Sequence, residues 1–280
     1  MIGAKQERIH RFAGFKTADG LRAELEEALR RFELYRRGEV WDAPATRPAR
    51  ICDEGEVATV PAPSEELPNG IAVLGEDLWV AQGSTLFRLD PQTGGVRASV
   101  PLEKGITDLC TDGKLLYGVS YGWTAGEPIL QIDPATGETT RRITTAGNDP
   151  GAGSAAFGIA WREGRLWVLH GPAGKILGID PETGERVGEV DCGARWLTGL
   201  EFDGRSFVVG SDAFLLFVDP VAGGTVRKVA VNQGVRSVGF GRGSYWLLER
   251  PLYDYDRDHR LVRIGPRATL LHRLTLPAEK

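Results

Sequence analysis

Three side chains in this sequence have the chemistry and placement for acid–base work. His170 closes the apolar run GRLWVLH, Glu249 closes SYWLLE, and Asp212 follows FVVGS. An imidazole titrates closest to neutrality and can take or give a proton at cellular pH. A nearby carboxylate can serve as acid, base or metal ligand. Blander roles compete with these. A lone histidine can be a satisfied structural residue, and Glu249 beside Arg250 can be a solvated ion pair. Asp108 and Asp212 are the carboxylates that could hold a divalent metal; no other cofactor is expected. The run YDYDRDH places Asp254, Asp256 and Asp258 at alternate positions, but it lacks the closing Gly and Glu of a calcium loop and reads as solvated. P-loop, HExxH and CxxC patterns are absent.

Ligand contacts are expected from Asn69, Asp108, Tyr121, Trp123, Trp196, Arg236, Arg250 and Tyr253. Aromatic rings mixed with a few fixed charges suit a small polar ligand with a flat or apolar part. The same mixture suits a protein partner, where Trp, Tyr and Arg dominate binding energy.

These residues are spread along the chain, so a fold must gather them. The sequence repeats at a period of about forty to fifty residues, the length of one propeller blade. LFRLDPQTG, ILQIDPATG, KILGIDPETG and LLFVDPVAG carry Asp-Pro at 90, 133, 180 and 219. Each has alternating apolar residues before Asp-Pro and a Gly shortly after. Pro presets a turn, Gly supplies positive φ, and the Asp carboxylate can bond the turn's own amides. Each such turn is expected to join the third and fourth strands of a blade. The first two strands recur as GIAVLGEDLWVAQ, DLCTDGKLLYGVS, GIAWREGRLWVLH, GLEFDGRSFVVGS and SVGFGRGSYWLLE. Their aromatics, Trp79, Tyr117, Trp167, Phe207 and Tyr245 or Trp246, are expected to pack between blades. HRLVRIGPRATLLHRLTLP should supply the last third and fourth strands around Gly265-Pro266. The leftover RICDEGEVATVP at 50–61 could pair onto the last blade or belong to a sixth, incomplete one.

The expected fold is an all-β, five-bladed β-propeller over 50–280, with six blades the alternative. Residues 1–49 are expected to form an N-terminal helical extension and linker. Within it, Leu21, Leu25, Ala28, Leu29 and Phe32 share one helical face, and WDAPATRPA is the linker. The first strands should line the channel, beginning at Asn69, Thr107 or Asp108, Phe157, Thr198 and Arg236. The second strands end at Gln82, Ser120, His170, Ser211 with Asp212, and Glu249 with Arg250. These ends should meet at one mouth, together with the long loops 121–128, 146–155, 191–196 and 250–260. Loops longer than connection requires often carry function.

The blade text resembles the repeats of virginiamycin B lyase and its relatives among YVTN-type and SMP-30-like propellers, over residues 68–265. In streptogramin lyases a late-blade His and Glu surround a magnesium ion. Glu249 stands at the corresponding strand end, with no His beside it. SMP-30-like lactonases use the Asn of a PNG tripeptide as a metal ligand, and Pro68-Asn69-Gly70 matches it. The repeat count is also similar to glutamine cyclotransferases, without their FTQGL-type segment. The resemblance implies lyase, lactonase or cyclotransferase chemistry and assigns no catalytic residue.

Bulk properties bound the rest. The 280 residues are 41% hydrophobic and 26% charged, ordinary for a globular protein. A net charge of −4 and a pI near 5.7 offer no basic surface for nucleic acid. No run is long enough to span a bilayer, and Cys52, Cys110 and Cys192 lack metal-ligand spacing. The expectation is a cytoplasmic protein that binds a small molecule at the channel mouth, with His170, Glu249 and Asp212 as catalytic candidates. The alternative is a non-enzymatic protein–protein interaction module.

Overall fold

A computed structural model describes residues 56–61, 63, 68–120, 127–145, 156–211, 214–230, 235–249, 253–255, 261–263 and 270–275; for 56–61, 253–255, 261–263 and 270–275 it gives the backbone. The expected helix at 19–37 lies outside the described residues. The described residues contain no helix, and hence none long and apolar enough to cross a membrane.

The chain divides into two compact units. One holds Met1–Arg50 and Pro251–Arg267, and is described only at two short strands that pair antiparallel, Tyr253–Tyr255 and Leu261–Arg263. The other holds Ile51–Arg250 and Ala268–Lys280 and is an all-β propeller.

Strand β1 (Glu56–Pro61) is the first strand among the described residues. Four blades then follow, each a meander of four consecutive antiparallel strands. Blade 1 is β2 (Pro68–Leu74), β3 (Asp77–Gln82), β4 (Thr85–Leu89) and β5 (Val96–Pro101). Blade 2 is β6 (Ile106–Thr111), β7 (Leu116–Ser120), β8 (Ile129–Ile132) and β9 (Thr139–Ile143). Blade 3 is β10 (Ala156–Arg162), β11 (Arg165–His170), β12 (Lys175–Ile179) and β13 (Arg186–Asp191). Blade 4 is β14 (Thr198–Phe202), β15 (Phe207–Gly210), β16 (Phe214–Val218) and β17 (Thr225–Ala230). A further sheet is composite. It contains β18 (Val235–Gly241) and β19 (Ser244–Glu249), then β22 (Leu270–Thr275) and finally β1. The pair in the other unit is β20 (Tyr253–Tyr255) and β21 (Leu261–Arg263).

The composite sheet departs from the expected hairpin around Gly265-Pro266. Leu261–Arg263 pairs with Tyr253–Tyr255, and the fourth strand comes from the start of the chain, Glu56 opposite Thr275. The physical difference is the turn. In the other repeats Asp90, Asp133, Asp180 and Asp219 each accept from the backbone amide two residues on, at 2.7–2.8 Å. Gly94, Gly137, Gly184 and Gly223 close those turns at φ between 71° and 78°. Gly265 brings no such acceptor.

The sheets pack through their faces. Trp79 lies among Leu109 and Leu116 of blade 2, and Tyr117 among Ile159 and Leu166 of blade 3. Trp167 meets Phe207 with centroids 5.1 Å apart, Tyr245 meets Phe217 at 5.7 Å, and Trp246 packs with Ile71 and Leu78. Each sheet interface therefore has its own apolar core, centred on an aromatic that is 0–9% exposed. Burying one such ring stabilises by about 1.5–3 kcal/mol. The first strands neighbour one another in a closed circuit, β2 to β6 to β10 to β14 to β18 and back to β2.

Candidate functional site

Every first strand is an edge of its sheet, so alternate amides point into the ring without a partner from their own blade. Burial makes that costly unless acceptors are supplied. Asp108 supplies them. It is 0% exposed. Its Oδ2 accepts from Ile159 N at 3.0 Å and Leu200 N at 3.2 Å, and its Oδ1 accepts from the Ser237 hydroxyl. Ser237 Oγ in turn accepts from Ile71 N at 3.1 Å. One carboxylate on β6 thus reaches β10 and β14 directly, and β18 and β2 through Ser237. Burial outweighs these bonds and raises the Asp108 pKa well above the ordinary carboxylate value. Asp108 was expected to contact ligand; both of its oxygens are engaged by protein donors.

A second internal carboxylate, Glu201 on β14, was not singled out from the sequence. It is 8% exposed, accepts from Phe240 N at 3.2 Å and Phe202 N at 2.8 Å, and burial pushes its pKa from 4.5 to about 8. A sequence signal existed: in the aligned repeats the matching places hold Ala72, Cys110, Ala160 and Gly239. Ser237 also went unnoticed, since its value depends on Asp108 lying opposite.

At one end of the ring all first strands share a defect. The register slips once after Pro68, Ile106, Ala156, Thr198 and Val235, leaving Asn69, Thr107, Phe157, Gly199 and Arg236 as the extra residue of a bulge. The partners across the slip are Gln82, Ser120, His170, Gly210 and Glu249, the last residues of the second strands. Bulges are common where a strand re-aims a side chain beside a site. The register sets each second-strand end opposite the start of its own first strand, with two corrections in blade 4: the second strand ends at Gly210, not Ser211, and the extra residue is Gly199, not Thr198, whose hydroxyl is spent on the Val235 carbonyl.

Among the candidates, Asn69 and Arg236 occupy bulges and are half-buried. His170 is 8% exposed at the same end, and its carbonyl accepts from Gly174 N at 2.9 Å. Trp196 lies in the crossing from β13 to β14, which also runs at this end. It is 76% exposed with φ of 59°, the left-handed region a bulky residue seldom adopts. Glu249 ends β19 and Tyr253 begins β20, placed by their backbones alone. Tyr121, Trp123, Asp212 and Arg250 lie outside the described residues, as do the loops 121–126 and 146–155. At the rim of blade 2, Lys104 Nζ donates to Glu127 Oε2 at 2.6 Å, and that ammonium keeps the Glu127 carboxyl below its usual range. Among the described residues no group of three His, Cys, Asp or Glu side chains could hold a metal ion.

No family model matches the chain. Regucalcin of Danio rerio is 28% identical over 165 residues, which are 55% of this chain and 55% of regucalcin, so the chain matches just over half the length of that relative. Among solved structures, the crystal structure of Myxococcus xanthus glutaminyl cyclase superposes with a TM-score of 0.58 at 15% identity, covering 78% of this chain and 94% of the cyclase. Both similarities fit the expected fold-level resemblance to enzyme-bearing propellers, and the second shows the fold alone.

Proposed function

We propose that the protein is a five-bladed β-propeller that binds a small molecule at the bulge end of its channel and acts on it in lyase, lactonase or cyclotransferase fashion. The count of five takes the composite sheet as a blade between blade 4 and blade 1, where β18 stands in the circuit of first strands. The observation that carries the binding reading is the repeated bulge. Unrelated residue types, Asn, Thr, Phe, Gly and Arg, share one backbone irregularity at one end, so the irregularity serves the ring opening rather than any one side chain. Asp108 and Ser237 tie the first strands together next to these bulges, which supports a preorganised opening.

In the catalytic version His170 is the general base, with Glu249 and Asp212 as further acid–base candidates. The test is a substrate panel of lactones, N-terminal glutaminyl peptides and ester-linked macrocycles. His170→Gln should lower kcat by roughly 10²-fold while ligand binding persists. Equal rates for wild type and His170→Gln on an accepted substrate would refute the assignment. A second reading, a protein interaction module, is favoured by one observation, the exposed and conformationally strained Trp196. In that case Trp196→Ala abolishes partner binding and leaves small-molecule binding at the ring unchanged.

A further inference from the structure

The ring of bulges is chemically divided. Taken in the order in which the first strands touch, β18 contributes Arg236, β2 Asn69 and β6 Thr107; then β10 contributes Phe157 and β14 Gly199. Three successive strands present hydrogen-bonding side chains, and the remaining two present an aromatic ring and a gap. The gap is enforced. Gly199 has φ of 62°, and a Cβ there would lie 2.8 Å from Ser237 Cα, closer than backbone atoms tolerate. The aromatic arc is anchored, because Phe157 packs against the cluster holding Leu197 and Cys192.

The polar arc carries an unmet group. Thr107 is 8% exposed, and its Oγ1 is buried with no hydrogen-bond partner. Buried hydroxyls are nearly always paired, so this one is poised for an oxygen the protein does not itself provide. Arg236, which already has a partner within the protein, stands in the same arc and carries five donors. Of the carboxylates at this end, Glu127 is held by Lys104, burial favours the neutral form of Asp108, and Glu249, opposite Val235, is placed by its backbone alone.

Building on the mouth-binding reading above, we propose that the ligand is a small amphipathic acid. Its carboxylate lies on the arc of Arg236, Asn69 and Thr107, accepting from the Thr107 hydroxyl. Its flat apolar body lies over Phe157 toward the Gly199 gap. A charge-assisted bond at one side and ring contact at the other fix its direction across the mouth.

The test uses the full chain and 3-phenylpropionate as probe, with propionate and 3-phenyl-1-propanol as its two halves, followed by calorimetry and amide shifts. The proposal expects 3-phenylpropionate to bind at least tenfold more tightly than either half. Thr107→Val should weaken it about tenfold with the melting temperature unchanged or raised, since no protein bond is lost. Phe157→Leu should weaken 3-phenylpropionate and leave propionate unaffected. Equal affinity for the three probes would overturn the proposal, as would a Thr107→Val variant that melts earlier yet binds normally. A neutral polyol, sorbitol, binding at residues 69, 107, 157 and 236 in preference to the acid would overturn it while leaving the mouth-binding reading intact. Failure of every probe to shift those amides would remove both.

Discussion

The two ends of the sheets obey different rules. At the turn end each repeat satisfies itself: Asp90, Asp133, Asp180 and Asp219 bond amides within their own turns, and the closing glycines take up the positive φ. At the bulge end satisfaction is collective. Asp108 from one blade serves amides of two others and the hydroxyl of a third sheet, and Thr107 keeps a hydroxyl without a partner. Local turn chemistry makes a blade, and long-range polar bonds among unlike residues make an opening. The first end can repeat along the chain, whereas the second exists only once the circuit has closed.

That contrast fixes the order of mutational effects. Asp108→Ala strands the Ile159 and Leu200 amides and the Ser237 hydroxyl in a dry interior, and should cost about 3–5 kcal/mol in denaturant unfolding. A loss below about 1 kcal/mol would mean that the carboxylate does not bind the ring together. Next comes Glu201. Its folded pKa is raised from 4.5 to about 8, so its contribution is full below pH 4.5 and is lost as pH rises through 8. Glu201→Gln should abolish that part of the decline, making the variant more stable relative to wild type at pH 8 than at pH 5. Parallel pH–stability curves would contradict the buried placement. Asp133→Ala removes one turn acceptor that its own repeat alone uses, and should cost about 0.5–2 kcal/mol, by analogy with a lost cap. Smallest of all, Trp196→Ala should change stability by less than about 0.5 kcal/mol, because the ring is mostly in solvent.

The same division decides what the sequence could reveal. The Asp-Pro turns and the aromatic second strands are legible because their causes are local: a preset φ, a nearby carboxylate, an alternating run. The gathering of strand ends at one side followed from the repeat. The bulges themselves were hidden, since Asn69, Thr107, Phe157, Gly199 and Arg236 share no residue type, and in blade 4 the extra position was missed by one residue. Asp108 looked like a ligand contact because a carboxylate near a strand end is usually wet; only the neighbouring strands, up to about 130 residues away in sequence at Ser237, bury it. The composite sheet was half visible: the segment at 50–61 pairs onto the last sheet, one of its two expected places, whereas the hairpin expected around Gly265-Pro266 is replaced by that pairing.

Amide chemical-shift mapping during titration with a bound small molecule tests the central claim most directly. The account predicts shifts at Asn69, Thr107, Phe157, Gly199 and Arg236, with the Asp-Pro turns at 90–94, 133–137, 180–184 and 219–223 unmoved. Shifts confined to those turns, with the bulge amides silent, would contradict it.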